Sequence, residues 1–165
     1  NEKIYQGKNI LTYFISDTDN YIKFDRTKFQ QIAPDECYRA KEKLVYKFIS
    51  KTPVFAYDDK QRLFLNSANI LIPIVETHSI KTVLAFLNSN LFRYIYKTKF
   101  GEVKILKGNL LQLPFPYLNA ENKAVIEKNV NAYLESKNTN FLTEIDKIVN
   151  NLFGIQDNFK DFPKQ

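Results

Sequence analysis

Glu102-Val103-Lys104 has the local pattern of a metal-dependent nuclease strand, in which carboxylates hold Mg²⁺ and a lysine positions or activates water. Such a site needs a second acid close by, and the candidates, Asp58 and Asp35, are both far away in the chain. Glu-x-Lys also arises by chance, as Glu121-Asn122-Lys123 does on a helical stretch. Cys37 and His78, the single cysteine and single histidine, could nominally serve as nucleophile and base, but nothing around them supports the pair. His78 reads more simply as a surface or strand-end residue. One Cys and one His make no metal-ligand spacing of the Cys/His type, and four glycines form no phosphate-cradling loop. No catalytic residues and no metal ligands are therefore assigned to this chain.

Binding chemistry is better represented. Arg39, Lys41, Lys43, Lys47 and Lys51 are interleaved with Tyr38, Tyr46 and Phe48. A second cluster holds Arg93, Lys97, Lys99, Lys104 and Lys107, with Tyr94 and Tyr96 among them, and Arg62 lies between the two clusters. The net charge is +6, and it is unevenly placed. Residues 39–107 carry thirteen Lys/Arg against five Asp/Glu, a net of +8, while the flanking sections are each −1. A surface of that kind attracts polyanions through counterion release, with lysines on phosphates and a few side chains left to read base edges. The eleven cations named above are the candidate DNA contacts. Singly, the aromatics are better placed in a core.

The elements that must position these residues are legible in part. Leu11–Ile15 and Tyr21–Phe24 are β-rich runs separated by a polar turn. In Lys43–Ile49, alternation puts Leu44, Tyr46 and Phe48 on one face and Lys43, Val45 and Lys47 on the other, so the spacing predicts a strand with a row of ammonium groups outside. Val54–Tyr57 and Arg62–Leu65 flank Asp58-Asp59-Lys60-Gln61 and predict a hairpin. Ile70–Val75 reads as an apolar strand whose Pro73 favours an edge or end. A helix follows from Ser79, with Leu84, Leu87, Leu91 and Ile95 as its stripe, a break near Asn88-Ser89-Asn90, and a stop at Gly101. Val103–Leu106 predicts a short strand and Gly108-Asn109 a turn. The stripes Ile126, Val130, Tyr133, Leu134 and Phe141, Ile145, Ile148, Val149, Leu152 predict a helical hairpin ended by Gly154, with fraying beyond it. The expected fold is α/β (α+β): a mixed, mostly antiparallel sheet with one or two packed helices over 1–118, then a helical hairpin over 119–165.

Composition sets the outer bounds. At 165 residues with 44% hydrophobic content, fourteen Phe and ten Tyr, the chain can fill the core of one compact domain. No apolar run approaches the roughly 18 to 20 residues that cross a bilayer, and no secretion signal opens the chain, so no membrane partner is expected. A lone cysteine fits a reducing cytoplasm. The chain opens on Asn1 and contains no Met, which suggests a domain taken from a larger protein.

Particular strings then carry a resemblance. Lys41–Ser50 leads into Val54-Phe55-Ala56-Tyr57-Asp58; Asn66-Ser67-Ala68-Asn69, Leu87-Asn88-Ser89, Lys104–Lys107 and Leu110–Pro116 follow in order. With Gln6-Gly7-Lys8-Asn9-Ile10 at the start, and Ile145–Val149 and Leu152-Phe153-Gly154 at the end, the series resembles the TaqI-like C-terminal specificity domain of adenine-N6 DNA methyltransferases and fused restriction-methylation enzymes. The order Leu-Asn-Ser helix, strand, Leu-Pro-x-Pro, helix also looks like the target-recognition units of type I restriction specificity subunits. The resemblance implies sequence-specific binding of double-stranded DNA. It also implies a methyltransferase domain in the same parent chain that holds S-adenosylmethionine and acts on a flipped adenine. The Asn/Asp-Pro-Pro-Tyr/Phe motif of that chemistry is missing, since the prolines at 34, 53, 73, 114, 116 and 163 form no such string. No cofactor is therefore expected in this chain.

Overall fold

The computed structural model describes residues 1–29 and 32–156. Among these residues, two three-stranded sheets and six α-helices make up an α+β fold. The first sheet has β1 (Glu2–Tyr5) in its middle, antiparallel to β2 (Tyr21–Ile22) and parallel to a later strand, β5 (Leu63–Phe64). A one-turn helix, α1 (Asp35–Tyr38), then leads into the second sheet. Its central strand is β3 (Lys43–Lys47), antiparallel on one side to β4 (Phe55–Asp58) and on the other to β6 (Ala68–Leu71).

The second sheet is covered on both faces, and the alternation of β3 shows how. Leu44 and Tyr46 enter the larger core with Phe55, α2 (Ile80–Asn88) and α3 (Asn90–Phe100). Val45 enters a smaller core with Tyr5, Ile10, Ala56 and Phe64, on the side of the first sheet. The predicted parity of β3 is therefore right, but its second face is interior. Lys43 is 0% exposed, so it is not part of an outer ammonium row.

The predicted hairpin between 54–57 and 62–65 does not form. Asp58 accepts hydrogen bonds from the backbone N–H groups of Lys60 (3.1 Å) and Arg62 (2.9 Å), and Gln61 takes a left-handed φ of 52°. The chain leaves β4 through this turn, and β5 joins β1 in the other sheet. Leu11–Ile15 forms only isolated bridges, Ile10 to Ile15 and Tyr13 to Ala56, rather than a strand. The apolar strand predicted to Val75 ends at Leu71, leaving Ile74 in solvent.

The break between α2 and α3 falls where it was predicted. Ser89 ends one helix by donating to Phe86 O (2.7 Å) and caps the next by accepting from Phe92 N–H (3.2 Å). Gly101, at φ 63°, terminates α3. Gly108-Asn109 lies within a short helix, α4 (Lys107–Leu110), instead of a turn. The helical hairpin is α5 (Ala120–Ser136) and α6 (Asn140–Leu152), and Ile126, Val130, Tyr133, Ile145 and Val149 bury into the same core as α2 and α3. The end expected to fray lies, from residue 157, outside the described residues. No helix among the described residues is long and apolar enough to cross a membrane.

Candidate nucleic-acid interface

Beyond β3 the chain bends at Phe48, and a second segment comes alongside it. Ser50 N–H donates to Val103 O and Ile105 N–H donates to Phe48 O, both at 2.8 Å, with Ile49 directly opposite Lys104. Phe48 links this ribbon to β6, since its own N–H donates to Ser67 O (3.2 Å). The base of the ribbon is fixed by Tyr96 of α3, whose buried hydroxyl donates to Lys104 O (3.3 Å) and accepts from Leu106 N–H (3.2 Å). The ribbon thus joins the two basic clusters of the sequence. Lys47 and Ile49 line the same groove, Lys104 faces Ile49 across the ribbon, and Lys51 follows two residues on.

The opening segment completes this surface. Gly7 begins a 3-10 turn, Gly7–Asn9, and donates its N–H to Ser67 Oγ (2.9 Å). A Cβ at Gly7 would lie 2.6 Å from Ser67 O, so the close approach needs glycine. Asn9 is buried, accepting from Gln6 N–H (2.9 Å) and donating to Asp17 O (3.2 Å). This packing forms a shallow groove of about 320 Å³ lined by Gly7, Lys8, Lys47, Ile49 and Ser67. Lys8 was not among the predicted contacts. Its only sequence signal was its place in the Gln6–Ile10 string, because the partner that positions it, Ser67, is distant in the chain.

The predicted cations fall into distinct environments. Lys41, Lys51, Lys97, Lys99, Lys104 and Lys107 are exposed and Lys47 is half-buried. Lys41 precedes β3, at the opposite end of the strand from the ribbon. Lys99 Nζ lies 5.3 Å from the Phe100 ring. Four others have intramolecular work. Arg39 grips Glu2 with two bonds of 2.7 Å, and that contact holds the Glu2 carboxyl below its ordinary pKa. Lys43 and Arg62 both reach Asp58, at 2.6 Å each. Burial disfavours the Asp58 carboxylate, but the two cations and backbone donors outweigh it and hold its pKa below the usual value. Arg93 turns inward, donating to Thr12 Oγ1 (3.0 Å), with its Nε buried and unpartnered. Lys43 is enclosed and Arg93 points away from solvent, so neither forms part of an outer face.

The nuclease arrangement is not assembled. Asp58 lies opposite Lys43, at the start of β3, whereas the segment that carries Glu102 and Lys104 pairs beyond the other end of that strand. Its carboxylate is enclosed between Lys43 and Arg62, away from Glu102, while Asp35 is bonded to Arg26. Among the described residues no three His, Cys, Asp or Glu side chains gather as a metal site. His78 is half-buried rather than a loose surface residue: Nε2 donates to Pro116 O (2.8 Å), and the ring meets Phe86 and Phe115 edge-on. Burial lowers its pKa.

An α+β fold that presents a basic ribbon without assembling the acid pair of the nuclease reading has the character of a recognition module. The model of the TaqI-like C-terminal specificity domain matches residues 2–115, and the chain belongs to that family. It thus carries a DNA-recognition specificity domain of restriction-modification systems. No curated protein matches the chain.

Proposed function

We propose that this chain recognises a specific sequence in double-stranded DNA on behalf of an adenine-N6 methyltransferase domain in the same parent protein, and contributes no catalytic group itself. The observation that carries the reading is the ribbon of 48–50 and 103–105, which draws Lys47, Lys51 and Lys104 together beside Lys8. Lysines so grouped neutralise phosphates and fix register on a duplex, whereas sequence must be read by side chains among them. S-adenosylmethionine belongs to the methyltransferase domain, because the chain lacks the Pro-Pro motif that handles a flipped adenine. The setting is the cytoplasm, which the single cysteine suits.

The test is selection from a randomised pool of duplexes. The expected result is enrichment of one short motif, and enrichment of no motif from a pool that the protein does bind would contradict the reading.

A further inference from the structure

Ile49 is 64% exposed, yet it stands where the lysines converge. An isolated exposed isoleucine is ordinary on any protein, so its surroundings decide its meaning. It lines the groove with Lys8 and Lys47, Lys104 lies opposite it in the ribbon, and Lys51 is two residues on.

We propose that Ile49 is a specificity-determining residue that packs against the C5 methyl of thymine in the major groove of duplex DNA. The inference rests on the DNA-recognition reading above. Charge complementarity selects the occupant: a surface framed by Lys8, Lys47, Lys51 and Lys104 favours a polyanion over an apolar protein partner. Dimensions select the groove. A two-stranded β-ribbon fits the major groove, which is about 12 Å wide, whereas the minor groove is only about 6 Å wide. Lys47 and Lys51 flank Ile49 in the chain, so cations that can meet phosphates lie on either side of the residue offered to the groove floor. The thymine methyl is the apolar group on the major-groove floor, and an aliphatic side chain is its natural complement.

The experiment uses the duplex motif selected by the wild-type chain. Each thymine is replaced in turn by deoxyuridine, which removes only the methyl, and binding is measured for wild type, Ile49→Ala and Ile49→Lys. One thymine position should cost the wild type about fourfold in affinity, the scale of one lost apolar contact, and should cost Ile49→Ala nothing. Ile49→Lys should bind random duplex more tightly while losing preference at that position. Because Ile49 is exposed, both variants should keep the wild-type fold. Failure of the wild type to select any motif would remove the underlying reading. A selected motif that Ile49→Ala reads with unchanged preference and the same deoxyuridine sensitivity would overturn this inference alone.

Discussion

The side-chain amide of Asn88 binds the backbone of Phe55 twice, accepting from its N–H (3.1 Å) and donating to its C=O (2.9 Å). Phe55 lies on β4, an edge strand of its sheet, and its outward N–H would otherwise be left unpaired inside the protein. Tyr13 N–H donates to the same carbonyl (2.8 Å). The Leu87-Asn88-Ser89 string thus has a physical content: Leu87 is buried, Asn88 seals the sheet edge, and Ser89 joins two helices. Asn88→Ala leaves the Phe55 N–H without its partner and should cost roughly 1–3 kcal/mol in urea unfolding. A loss below about 0.5 kcal/mol would show that the edge is satisfied otherwise.

Lys43 marks a second commitment. Lys43→Met removes one of two cations from the buried Asp58 and should destabilise the fold by about 3 kcal/mol, the lower end for breaking a buried pair, because Arg62 remains. Adding Asp58→Asn should recover part of the loss, and comparison of unfolding midpoints for the single and double variants checks this. If the double variant is no better than the single, the pair's Coulomb energy is not what stabilises the turn.

These two sites show what the sequence could disclose. Local signals were legible: the Ser89 break, the Gly101 stop and the two stripes of the terminal hairpin each depend on neighbours within a few residues. The parity of β3 was legible for the same reason. That its Lys43 face is covered depends on the first sheet packing there, a long-range event that alternation does not encode. The misplaced hairpin has a similar origin, since Asp58 captures the turn backbone while also pairing with Lys43 on another strand. Of the candidate site, the two basic clusters could be read directly. Their union through the Ile49–Lys104 pairing could not, nor could the inward turn of Arg93.

His78 makes stability depend on pH. Its folded pKa lies below 6.5 because burial disfavours the charged ring, so the unfolded chain binds the proton more readily. Its contribution is fully present above 6.5 and falls away as pH drops through that value toward the folded pKa. His78→Gln, which can still donate to Pro116 O, should flatten the dependence of the urea midpoint between about pH 5 and 7. An unchanged slope would assign the dependence to other groups.

Gly7→Ala should destabilise the protein by about 1–3 kcal/mol, since the added Cβ meets the rigid Ser67 carbonyl. Thermal unfolding measures the loss. Because Gly7 and Lys8 form one wall of the groove, the same variant should weaken duplex binding, and a variant with wild-type stability would contradict the close approach.

The lysine surface is judged by the salt dependence of duplex binding, compared between the wild-type chain and Lys47→Gln/Lys51→Gln/Lys104→Gln. Each phosphate contact contributes about 0.9 to the slope of log affinity against log salt, so the triple variant should bind more weakly with a slope shallower by roughly two to three. Equal slopes and equal affinities for the two proteins would mean that DNA does not lie against this ribbon.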